Sequence, residues 1–84
     1  MITIEILTTN LGCPKCERAM SIIDGVTKKY QGKIKVVKTD ITEHPEKLIK
    51  FNVMSTPAII INDELISEGS PKAELIEKKI VEAL

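Results

Sequence analysis

Two cysteines, set as Cys13-Pro14-Lys15-Cys16, are the residues of this sequence whose type and spacing carry the most chemistry. Thiols three positions apart lie about one helical turn apart, within reach of a mutual disulfide. At a helix N-terminus the first backbone N–H groups lack intrahelical acceptors and the dipole presents its positive end, and both stabilise a thiolate. The thiolate is the form that attacks disulfides and binds soft metals. Dithiol redox chemistry is the first reading of the pair, given its place between a strand pattern and a helical one. A structural zinc site wants four Cys or His ligands, and His44 is the single histidine here, so zinc would need a bridged dimer. Carriage of a soft metal such as Cu(I) stays open at this point. Lys15 reads equally as a cation beside a thiolate and as a solvated lysine of the first turn. His44, in a polar connection before Pro45, reads as an exposed loop residue.

The elements that must position this pair follow from periodicity. Ile2, Ile4 and Ile6 alternate with polar residues and Leu7 follows, a first strand, with Thr8 to Gly12 a polar loop. From Pro14 the apolar positions Cys16, Ala19, Met20, Ile23, Val26 and Tyr30 have helical spacing, and Gly32 is the expected left-handed terminator. Lys33 to Thr39 form a second strand, parallel to the first if they share a sheet. Asp40 to Pro45 connect, with Thr42 as N-cap of a short helix ending near Phe51, and Asn52 closes that helix. A turn over Val53 to Pro57 leads into the strand Ala58 to Ile61. Asn62-Asp63 marks a hairpin to a return strand over Glu64 to Ser67. Ser70 as N-cap and Pro71 in the first turn open a last helix, buried along Leu75, Ile76, Lys79, Ile80 and Leu84. Its charges, Lys72, Glu74, Glu77, Lys78, Lys79 and Glu82, form a solvated face. Met20 and Met54 read as packing residues, with Met54 beside the dithiol, and Tyr30 as core with its hydroxyl at the surface. The order is β-α-β-α-β-β-α, an α/β architecture with helices on both faces of one sheet.

The 84 residues make one small domain, 1–84, and its core must be aliphatic, with one Phe, one Tyr and no Trp. Twelve basic and 12 acidic residues cancel. That excludes the basic footprint of a general nucleic-acid binder. No apolar run approaches the roughly 20 residues of a membrane span, and MITIEILTTN lacks a signal-peptide pattern. A cytoplasmic location is expected, where a lone cysteine pair is catalytic or metal-binding more often than structural.

Three segments resemble the thioredoxin/glutaredoxin superfamily, specifically its small, glutaredoxin-sized thioredoxin-like members. They are Cys13-Pro14-Lys15-Cys16 after the first strand, Val37-Lys38-Thr39-Asp40 after the second, and Phe51-Asn52-Val53-Met54-Ser55-Thr56-Pro57-Ala58 before the third. The resemblance implies a thioredoxin fold: a four-stranded mixed sheet, strand order 2-1-3-4, flanked by three helices. It implies that Cys13 is the nucleophile and Cys16 the resolving thiol, with Pro14 and Lys15 between them. It also implies that Pro57 is cis and that Gly12, Met54, Ser55, Thr56 and Pro57 face substrate. The activity implied is thiol–disulfide exchange with protein disulfides, with no cofactor beyond a redox-active Cys13–Cys16 disulfide. An external reductase, of the thioredoxin-reductase kind in preference to glutathione, would recycle a monomer with no nucleic-acid or membrane partner. A dedicated partner in one redox relay would look the same in sequence. Three positions depart from the family pattern. Gly12 replaces a tryptophan, Leu7 replaces a buried aspartate so that Glu5 is the nearest acid, and Glu68-Gly69-Ser70-Pro71-Lys72 departs from the glycines and acids with which glutaredoxins grip glutathione.

Overall fold

The alternating isoleucines of the first strand need cover on one face, and Leu7 needs cover on the other. In the computed structural model, which describes residues 2–9, 14–69 and 71–84, β1 (Ile2–Thr8) accordingly lies inside a four-stranded sheet of order β2-β1-β3-β4. β2 (Ile34–Asp40) runs parallel to β1, from Ile2 opposite Ile34 to Thr8 opposite Asp40. β3 (Ala58–Ile61) runs antiparallel to β1, with Ile4 opposite Ile61 and Leu7 opposite Ala58. β4 (Glu64–Glu68) completes the hairpin on β3. All residues of β3 are buried, as a strand covered on both faces requires.

One face carries the larger core. Ile2, Ile4, Ile6, Ile59 and Ile61 pack there against Ala19, Ile23 and Val26 of α1 (Pro14–Thr27) and Ile76 and Ile80 of α3 (Ala73–Ala83). The other face is smaller: Leu7, Ala58, Ile60 and Val53 lie under Leu48 of α2 (Glu46–Lys50), Ile41, Phe51 and Leu65. Each isoleucine taken fully from water contributes about 1.5–3 kcal/mol. The larger face therefore supplies most of the stabilisation.

The structure moves several expected boundaries. α1 ends at Thr27 and continues as a 3₁₀ turn over Lys28–Tyr30 before Gly32, whose φ of 84° is the left-handed stop. β2 starts and ends one residue later than expected, at Ile34 and Asp40. Thr42 does not cap α2. Its N–H and hydroxyl both donate to Asp40 Oδ1, at 2.9 and 2.7 Å, making a turn that ends before the helix starts. Pro71 precedes α3 rather than opening it, because Lys72 occupies the N-cap; Ser70 lies outside the described residues. Leu84 is 57% exposed, so the buried stripe of α3 stops at Ile80. The hairpin is as expected, with positive φ at both Asn62 (49°) and Asp63 (68°), the backbone of a tight primed turn.

Candidate active site

The end of α2 decides where the 53–57 segment begins. Asn52 adopts φ 54°, the Asn52 N–H donates to the Ile49 carbonyl at 3.2 Å, and the Val53 N–H donates to the Leu48 carbonyl at 2.8 Å. This pair of bonds is a Schellman stop, and its usual apolar contact is present, since Val53 and Leu48 share the smaller core. The chain leaves that stop with Met54 84% exposed and Ser55 exposed. Thr56 is half-buried, and Pro57 is fully buried behind a cis Thr56-Pro57 bond. Met54, expected to pack, instead holds its thioether in solvent.

Strand register sets this segment beside the end of β1. Leu7 lies opposite Ala58, so Thr8 and Thr9 run on toward the Thr56-Pro57 side of the same sheet edge. Pro14 and Lys15 are exposed on the first turn of α1, while Cys16 is 6% exposed and its sulfur is disulfide-bonded. Gly12 and Cys13 lie outside the described residues. Of the expected site residues, Met54, Ser55, Thr56 and Pro57 directly precede β3 beside the end of β1, and Pro14, Lys15 and Cys16 open α1.

Glu5 resolves a question the sequence left open. It shares the α2 face of β1 with Leu7, and its Oε2 accepts hydrogen bonds from Thr39 Oγ1 and Lys47 Nζ, each at 2.7 Å. Burial opposes its ionisation. The bonds from Lys47 and Thr39 and the charges of Lys47 and Lys50 outweigh that penalty, so the carboxyl is held below its usual range. Leu7, fully buried, offers no proton acceptor where the resemblance places an aspartate. His44 is exposed and pairs with Glu46 at 3.2 Å, as a loop histidine does.

The sequence reading gave no role to Glu68, which also reaches this edge. Its Oε1 accepts the Met54 N–H at 2.5 Å, and the next residue, Gly69 (φ 79°), donates its N–H to the Pro57 carbonyl at 2.7 Å. The acid immediately before a glycine was visible in sequence, but its approach to Met54 depends on pairing between β3 and β4.

A thioredoxin domain family model matches residues 2–81 of the chain. A probable thioredoxin of Methanothermobacter thermautotrophicus is 36% identical over 74 residues, covering 88% of this chain and 86% of that protein. A thioredoxin of Methanocaldococcus jannaschii is 26% identical over 83 residues, 99% of this chain and 96% of that one. Among solved structures, chloroplastic thioredoxin z superposes with a TM-score of 0.78 at 22% identity, covering 98% of this chain and 77% of its own, a likeness of fold.

Proposed function

Because this chain belongs to the thioredoxin domain family, a family of thiol–disulfide oxidoreductases, we propose that it reduces protein disulfides through Cys13 and Cys16. What supports this reading is Cys16, buried and disulfide-bonded in the first turn of α1, in a chain that also carries a cis Thr56-Pro57 bond before β3. The nucleophile of this reading is Cys13, since a reactive thiol at a helix start is acidified from about 8.5 toward roughly 3.5–7.5.

Cys13, as thiolate, attacks one sulfur of the substrate disulfide. The substrate S–S bond breaks, a Cys13–substrate mixed disulfide forms, and the departing thiolate takes up a proton. Cys16 then loses its proton and attacks the Cys13 sulfur. The second substrate thiolate leaves and is protonated, and the protein keeps a Cys13–Cys16 disulfide. Two electrons pass from the protein dithiol to the substrate, and an external reductase of thioredoxin-reductase type returns them. In this reading Gly12, Met54, Ser55, Thr56 and Pro57 face the substrate, and Pro14 and Lys15 belong with the dithiol between the two cysteines. In this reading the protein acts as a cytoplasmic monomer with no further cofactor.

Insulin reduction with dithiothreitol as electron source tests the proposal. Cys13→Ser abolishes turnover, whereas Cys16→Ser accumulates the mixed disulfide, visible as a mass adduct. Full activity of Cys13→Ser would overturn the mechanism. Stoichiometric Cu(I) binding by the reduced protein without disulfide turnover would transfer the site to soft-metal carriage.

A further inference from the structure

The hairpin of β3 and β4 contains an irregularity whose consequence falls on the candidate site. Ile61 lies opposite Glu64 and Ile60 opposite Leu65, but Ile59 lies opposite Ser67 and Ala58 opposite Glu68. Ile66 is therefore the extra residue of a β-bulge, and a one-residue slip moves every later side chain to the other face. With uninterrupted pairing, Ser67 would oppose Ala58 and Glu68 would lie on the α1 and α3 face. The bulge instead sets Glu68 beside Ala58, whose side chain belongs to the α2 face. That face carries the 53–57 segment.

Once re-aimed, the carboxylate takes a specific partner. The Met54 N–H, next to a side chain in solvent, is a backbone donor at the rim of the site, and Glu68 Oε1 already accepts from it. Among the described residues no cation forms an ion pair with Glu68, so its negative charge is held in place and not neutralised. Lys15 and Arg18, the cations at the start of α1, stand on exposed positions and pair with no carboxylate among the described ion pairs. A substrate carboxylate arriving on the Met54 side meets an occupied donor and a fixed like charge.

We propose that Glu68 is a specificity residue: it disfavours disulfides that bring a carboxylate to the Met54 rim, glutathione disulfide among them, and favours disulfides flanked there by neutral or basic groups. The inference rests on the oxidoreductase reading above. The chemistry is unchanged: the protein dithiol is oxidised to its disulfide as the substrate disulfide is reduced to two thiols.

Three small disulfides test it: net-negative glutathione disulfide, cationic cystamine and neutral hydroxyethyl disulfide. Single-turnover rates of the pre-reduced protein are normalised to hydroxyethyl disulfide for each variant. Relative to the wild type, the glutathione-to-cystamine rate ratio rises about threefold in Glu68→Gln, which keeps an acceptor for Met54 but loses the charge, and about tenfold in Glu68→Lys. Added salt brings the wild-type ratio toward that of Glu68→Gln. A ratio that stays within about twofold of wild type in both variants, or one insensitive to salt, overturns the proposal. Should Glu68→Lys fail to fold, Glu68→Gln and the salt series decide it. Failure of the wild type to reduce hydroxyethyl disulfide is a separate outcome, and it removes the oxidoreductase reading itself.

Discussion

Glu5 shows how one residue of a strand is recruited by elements far away in sequence. Its carboxylate joins β1 to Thr39 of β2 and Lys47 of α2, with its side chain 12% exposed and that of Lys47 30% exposed. Because its folded pKa lies below the ordinary 4.5, the unfolded chain binds the proton more readily. Its stabilisation is therefore fully present above pH 4.5 and is lost as pH falls through the lower folded value. Glu5→Gln should cost about 1 kcal/mol at pH 7, where the charge-assisted bonds are lost, and should flatten the fall in stability below that window. Urea unfolding at pH 7 and pH 3 measures both. Equal losses on acidification in variant and wild type would show that Glu5 does not carry this dependence. Asp40, whose carboxylate accepts the hydroxyl and N–H of Thr42, and Glu46 titrate in the same direction.

Element ends decide how the site is assembled. α2 is a helix of 5 residues, too short to hold itself, and its position comes from the Lys47–Glu5 bond and from Leu48 in the smaller core. Its Schellman stop then sends the chain into Met54–Pro57. Asn52 was legible as that stop because asparagine tolerates left-handed backbone. The missed Thr42 cap has an equally local cause: Asp40 offers a nearer acceptor, so the threonine closes a turn two residues long instead of a helix. The hairpin offers a direct check of backbone conformation. Asn62 and Asp63 both have positive φ, and Asn62 Oδ1 also accepts the Thr3 N–H at 3.0 Å. Asp63→Gly should therefore stabilise the protein by about 0.5–1 kcal/mol, while Asn62→Gly loses the Thr3 bond and gains less. Thermal melts of the two variants measure the difference, and a lower melting temperature for Asp63→Gly would contradict the assignment of strain there.

At the scale of the molecule, the two faces of the sheet have different duties. Ile76, fully buried in the larger core, should cost about 3 kcal/mol on replacement by alanine. Leu48→Ala, at a half-buried position over the smaller core, should cost about 1 kcal/mol yet slow insulin reduction more, because α2 carries the 53–57 segment. Denaturant titration and turnover measured on the same samples separate the two effects. Proportionate losses in both variants would show that the faces do not divide the work. The sequence by itself determined the element order, the apolar stripe of α1, the hairpin turn and the segments that resemble the thioredoxin superfamily. These rest on local periodicity, on residues with a preference for left-handed backbone, and on motif spacing, all of which act over a few residues. Only the tertiary structure decided that Glu5 binds Lys47, that Met54 is exposed, and that a bulge turns Glu68 toward Met54. Each of those depends on register and packing between segments distant in sequence, where a shift of one residue reverses the face a side chain occupies.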